Sequence, residues 1–382
     1  MKAIVNGRIV LPHAIETDKA LLFDKKIWSI MNDDNALAQA DEIIDAQGAY
    51  VCPGLVDVHI HGYLGADVSD GDKAGIKRMA QGIVKNGVTS FLPTTMTIPW
   101  NELEKAFEAV RELKPESEAG GWDGAQILGV HAEGPFINKN KKGAQAESAI
   151  LKPDIEKVLP YQDIIKLITV APEVEGGMDF VRDLRQKTDI FISIGHTDAT
   201  YEEAVMAMHA GVTHVTHTFN AMTPLVHRNP GVVGAALTED VYCELIADTF
   251  HVHPGIYQLL TRDKRERLVL ITDCVRAGGM PDGQYTLGGQ PIFLKGIECR
   301  MADGTIAGSV LKLNRGVKNL RDNAALSMQT AIRMASLNPA NSIGVGNRKG
   351  SLEAGKDADI VLMNEECDVL KTFVRGNCVY TA

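Results

Sequence analysis

The sequence contains no C-x-x-C pair, no internal repeat, no low-complexity tract and no excess of positive charge. Its six cysteines (Cys52, Cys243, Cys274, Cys299, Cys367, Cys378) are scattered, and the N-terminus shows no charged, then apolar, then cleavable signal. A reducing, cytoplasmic compartment is therefore expected. The longest apolar stretches are strand-sized and broken by Gly, Pro or charge, well short of the roughly 20 residues that span a bilayer. No membrane partner is expected. Lys and Arg number 39 against 49 Asp and Glu, a formal charge of −10 with no basic stripe. General nucleic-acid binding is disfavoured, because that mode needs a basic surface to replace counterions along the phosphates.

What is present is a large apolar content, 45% of 382 residues, enough for one large domain and a smaller one. Eight short, apolar, β-branched runs lie at 55–61, 87–95, 126–132, 167–172, 189–195, 212–218, 243–248 and 268–272. Between them are charged segments with helical spacing, such as DKAGIKRMAQGIVKNG, WNELEKAFEAVRELK, FVRDLRQK and YEEAVMAMHAG. Asp198 or Thr200 is a candidate cap before Tyr201, and Pro254 suits a first helical turn. Near-continuous apolar strands are buried on both faces, so the pattern predicts an α/β fold, a (β/α)8 TIM-like barrel over 54–345. An open doubly wound sheet is the competing architecture. The barrel better explains polar residues at strand ends, since its C-terminal loops converge on one mouth. Segments 1–53 and 346–382 carry short strand-like pieces that cannot form a core alone, and are expected to pair into a small β-sandwich domain. Residues 279–308 read as a hairpin insertion before the last helix.

The chemistry sits at the ends of the apolar runs: VDVHIHG (His59, His61), ILGVHAEGP (His131, Glu133), IFISIGHT (His196), VTHVTHTFN (His214, His217) and LVLITDC (Asp273). His59 and His61 are two apart on a strand, so they share a face and can share one ion, and Gly62 permits close backbone approach. Imidazole and carboxylate from separate strands make the mixed N/O shell that suits Zn²⁺ or a similar divalent ion. His131 shares a face with Glu133 and reads as support behind the ligands; His214 points the other way and reads as structural. Beside a metal, Asp273 can take a proton from water and deliver it to a leaving group. Hydrolysis of an amide or ester is the natural reaction class.

The ordered set H-x-H, Glu, His, His, Asp on eight strands, with the closing SLEAGKDADIVLMN and VRGNCVY, resembles the amidohydrolase superfamily. The motifs HAEGPF, GHTDAT, THTFNAM, HRNPG, ADTFHVHP, ITDCVRAGG and GTIAGS are similar to its deacetylases of phosphorylated amino sugars, over almost the whole chain. Where many superfamily members carry a metal-bridging lysine after strand four, this chain has APE, which disfavours dihydroorotase-like and hydantoinase-like readings. The resemblance implies Glu133, His196 and His217 as main metal ligands, with His59 and His61 able to add a second ion bridged through Glu133. It implies one or two divalent ions per subunit, Zn²⁺ or Fe²⁺ foremost, and Asp273 as catalytic acid/base. Substrate contacts are implied for Ala144, Gln145, Asn220, Ala221, His251, Ala307, Gly308 and Ser309. Arg228 is implied to reach the substrate phosphate from the neighbouring subunit of a homodimer, a role for which its paired donors suit phosphate oxygens. Gln145 stands where some members have histidine. The implied reaction is removal of the N-acetyl group from a phosphorylated amino sugar; an N-acyl amino acid substrate and a catalytically silent interaction barrel are the alternatives.

Overall fold

The computed structural model describes residues 1–382 apart from 33, 34 and 37. The eight apolar runs form parallel strands: β1 (Leu55–Ile60), β2 (Val88–Thr95), β3 (Val130–Glu133), β4 (Ile165–Val170), β5 (Phe191–Ile194), β6 (His214–Val215), β7 (Tyr242–Ile246) and β8 (Leu268–Ile271). Each pairs with its successor in parallel register. The sheet comes nearly to closure where Ile60 bridges Cys274 and Asp273 N–H donates to His59 O at 2.8 Å. The strands are buried on both faces, which is why they read as continuous apolar runs rather than as alternating ones. Each fully buried Leu, Ile or Phe in them contributes roughly 1.5–3 kcal/mol.

The helices form where spacing and caps coincide. Helix α1 (Lys73–Ile83) buries Ile76, Met79, Ala80 and Ile83, an i, i+3, i+4, i+7 stripe, and Asp72 caps it by accepting from Ala74 N–H and Gly75 N–H. Of the two candidate caps before helix α2 (Tyr201–Ala210), Thr200 is the one used, in a reciprocal box with Glu203. Asp198 N–H instead donates to Glu173.

Two expectations are refined. The insertion is a three-stranded antiparallel meander, Gly283–Leu287, Gln290–Lys295 and Glu298–Met301, rather than a hairpin. Its two turns use Gly288, Gly289 and Gly296, all at positive φ. The "last helix" is three: Leu313–Ala324 stops at Ala325 (φ 53°), Met328–Ala335 restarts at the Ser327 cap, and Leu337–Ser342 follows.

The chain ends form two sheets. One holds four strands between Lys2 and Asp45; the other joins Tyr50–Pro53 antiparallel to Ile360–Met363 and extends through Val369–Val374. Ile4, Phe23, Val51, Ile360 and Phe373 share one core between them, with the two phenyl rings edge-on at 5.7 Å. Beside this core the wholly buried Lys349 ammonium lies 2.6 Å from Asp359 and 3.0 Å from Asp357, whose other oxygen meets Lys26 at 2.6 Å. No described helix is long and apolar enough to cross a membrane.

Candidate metal centre and active site

The polar residues that follow β5, β6 and β8 share a backbone device. His196 (φ 47°), His217 (φ 28°) and Asp273 (φ 50°) all leave the extended conformation for the left-handed region just past the strand. That conformation is costly for non-glycine residues and turns each side chain into the barrel mouth.

Glu133, at the end of β3, lies at the centre. Its Oε1 is 3.1 Å from His217 Nε2, 3.2 Å from His196 Nε2 and 3.4 Å from His59 Nε2. Its Oε2 is 3.3 Å from His61 Nε2. Asp273 Oδ1 closes the other side, 3.2 Å from His61 Nε2 and 3.5 Å from His59 Nε2. The donor set thus divides into Glu133, His196 and His217 on one side and His59, His61, Glu133 and Asp273 on the other.

The outer ring nitrogens show that this set fits a divalent ion. His61 Nδ1 faces Thr94 O at 3.2 Å and His196 Nδ1 faces Lys141 O at 2.8 Å. A carbonyl can only accept, so both Nδ1 atoms carry the proton and both Nε2 atoms present lone pairs. His59 Nδ1 faces the Glu244 carboxylate at 2.9 Å, which selects the same tautomer. Yet His59 Nε2 and His61 Nε2 are 3.2 Å apart, and His196 Nε2 and His217 Nε2 are 3.1 Å apart. For His59 and His61, facing lone pairs beside the buried Glu133 and Asp273 suit a cation held between them.

The same carboxylates favour positive charge at this site, as a second ring proton on His59 and His61 where no ion is bound. Burial pushes the His59 imidazolium down, but Glu244, Glu133 and Asp273 more than offset it and hold its pKa well above the ordinary value. His61 rises to about 9 against the same burial, through Asp273 and Glu133. Burial alone would raise Glu133 and Asp273; His196 and His59 hold the first well below the carboxylate range, and His59 with His61 lowers the second.

These residues open onto a cavity of about 370 Å³. Ala144, Gln145, Asn220, Ala221, His251 and Gly308 lie on its wall with His61, Glu133, His196, His217 and Asp273, while the meander contributes Leu287. His251 is held by Asp248, 2.6 Å from its Nδ1. Gln145 is buried, its amide donating to Glu133 Oε2 and accepting from Thr97 N–H. Ala307 and Ser309 flank Gly308 but are fully buried off the wall, and the Ser309 hydroxyl donates to Thr272 O. Arg228 sits exposed in the turn bridged by Val226 and Asn229, and the cavity of its own chain does not include it.

His131 is fixed between Val58 O (3.0 Å) and Thr169 Oγ1 (2.8 Å), its ring edge-on to His59. His214 stacks on Tyr242, away from the cavity. Glu173 of the APE segment is outside the ligand cluster; it accepts from Asn138, Thr197 and Asp198 and so braces the loop after His196. Sequence reasoning missed Asp57, which accepts from the Thr272 hydroxyl at 2.6 Å, and Glu244. A carboxylate inside the apolar strand YCELI was the available signal for the latter.

Residues 50–379 match the model of the amidohydrolase family. The chain belongs to the amidohydrolase family. This amidohydrolase is 38% identical to the N-acetylglucosamine-6-phosphate deacetylase of Bacillus subtilis (strain 168), over 94% of its own length and 91% of that protein's. It is 36% identical to the N-acetylgalactosamine-6-phosphate deacetylase of Escherichia coli O157:H7, over 90% and 94%. A mutant N-acetyl-D-glucosamine-6-phosphate deacetylase from Mycobacterium smegmatis, solved in complex with N-acetyl-D-glucosamine-6-phosphate, superposes on the amidohydrolase with a TM-score of 0.90 at 29% identity, covering 100% and 99% of the two chains.

Proposed function

We propose that this amidohydrolase removes the acetyl group from N-acetylglucosamine-6-phosphate, giving glucosamine-6-phosphate and acetate. The observation that carries the reading is the convergence of four imidazoles on Glu133, with Asp273 beside them, at the floor of a sugar-sized cavity. Near full-length similarity to deacetylases of N-acetylated hexosamine 6-phosphates favours this substrate class over an N-acyl amino acid.

Glu133, His196 and His217 would hold one divalent ion, Zn²⁺ or Fe²⁺ by donor chemistry, and His59 and His61 a second, shared through Glu133. When bound, such an ion polarises a carbonyl and brings the pKa of water toward neutrality. The protein's own part follows from position. Asp273, kept ionised among imidazoles, accepts the proton of the attacking water and passes it to the departing amine nitrogen. Asn220, Ala221 and Gly308 shape the wall around the sugar, and His251, oriented by Asp248, presents its free Nε2 to it. Arg228, exposed and outside its own cavity, is available to reach the phosphate across a homodimer interface. The unpaired state of all six cysteines supports a cytoplasmic location.

Acetate release tests the reading. Purified protein is expected to turn over N-acetylglucosamine-6-phosphate and to leave N-acetylglucosamine nearly untouched, with Arg228→Ala raising KM for the phosphorylated sugar alone. Equal turnover of the two sugars would refute the phosphate role. Preference for N-acetylgalactosamine-6-phosphate would keep the chemistry and change the sugar.

A further inference from the structure

We propose that Glu244 is a positioning residue that fixes the tautomer and orientation of His59 and so sets the affinity for the second ion. The inference rests on the two-ion reading above.

Glu244 lies in β7 between Cys243 and Leu245 and is wholly buried. A carboxylate there is costly unless it is hydrogen-bonded. One of its oxygens, Oε2, takes both bonds: from His59 Nδ1 at 2.9 Å and from His217 N–H at 3.0 Å. The other, Oε1, has no hydrogen-bond partner. The same carboxylate oxygen therefore touches the ring of one half of the ligand set and the backbone of the other.

An acceptor at Nδ1 obliges His59 to carry its proton there, leaving the Nε2 lone pair aimed at Glu133, His61 and Asp273. The ring is also walled from the side. His131 packs edge-on at 4.6 Å between centroids, and both its nitrogens are already engaged, by Val58 O and Thr169 Oγ1. His131 thus restricts His59 without competing for an ion. The two contacts together leave His59 one orientation, and a carboxylate behind a metal-binding imidazole also strengthens it as a donor. His61 and His196, by contrast, have only neutral carbonyls behind them.

Metal-free protein titrated with Zn²⁺ by calorimetry tests this, with thermal unfolding of each metal-free variant as the control on folding. Wild type is expected to take two ions. Glu244→Leu, which also removes the acceptor of the His217 N–H, should weaken the ion of Glu133, His196 and His217 by less than about threefold and the second about 10–100-fold. Glu244→Gln, whose amide oxygen can still accept from His59 Nδ1–H, should fall between them. Equal weakening of both ions would mean a merely structural role and overturn the proposal, as would two ions bound by Glu244→Leu with wild-type affinity. If Glu244→Leu does not fold, an unchanged second affinity in Glu244→Gln overturns it. A wild type that takes one ion refutes the two-ion reading itself, and this role with it.

Discussion

Replacing Asp273 by Asn should abolish most turnover while leaving the fold intact. Asp273 sits at φ 50°, a left-handed conformation that Asn tolerates as well as Asp, so the backbone turn after β8 survives. Its backbone carbonyl and N–H remain bonded to Ser309 N–H and His59 O, both at 2.8 Å. What disappears is proton transfer, and the cavity wall offers no replacement. Glu133 is surrounded by four imidazole nitrogens within 3.4 Å, and its second oxygen also takes the Gln145 amide. His251 is tied to Asp248 at 2.6 Å. Loss of a positioned general acid/base costs about 10²–10⁴-fold in rate, which is ~3–5 kcal/mol on the barrier. The assay is acetate release at saturating substrate, with ion content measured on the same samples. Turnover within tenfold of wild type at equal ion content would refute the assignment.

Three further outcomes follow from other contacts. His214, pushed down to about 3 by burial, stays neutral in the fold while the unfolded residue protonates near 6.5. The unfolded state therefore binds more protons below that value, and stability falls by about 2 kcal/mol between pH 7 and pH 5 from this group. His214→Phe, which preserves a ring against Tyr242 and Phe191, should remove that component from urea midpoints measured across the range. Lys349→Met leaves Asp357 and Asp359 buried without their shared cation and should cost about 3–5 kcal/mol in urea unfolding. An added Asp359→Asn should recover part of it. Gln145→Leu removes the amide that joins Glu133 Oε2 to Thr97 N–H, and chelator competition should show ion affinity reduced about 10–100-fold.

Much of the site was legible because barrel strands deliver their ends to one mouth. His59, His61, Glu133, His196, His217 and Asp273 stand at the ends of apolar runs, and the structure places all six together. Pattern alone did not reveal the meander within 279–308 or the division of 313–342 into three helices. Both depend on individual breaks, at Gly288, Gly289 and Gly296 and at Ala325, inside segments whose composition is continuous. Ala307, Gly308 and Ser309 form one motif in sequence but not one surface, since only Gly308 reaches the cavity.

The sequence by itself determined the α/β alternation, the burial of the strands and the placing of polar residues at the strand ends. These follow from local periodicity and from the rule that parallel strands are covered on both faces. Only the tertiary structure decided which residues stand behind those at the barrel mouth. Glu244 lies 185 residues from His59, and Asp57 lies 215 from Thr272. Such partners are chosen by the closure of the barrel, which brings β7 and β8 round to β1, and no spacing along the chain encodes that meeting. The same closure sets Glu244 and His131 against the His59 ring.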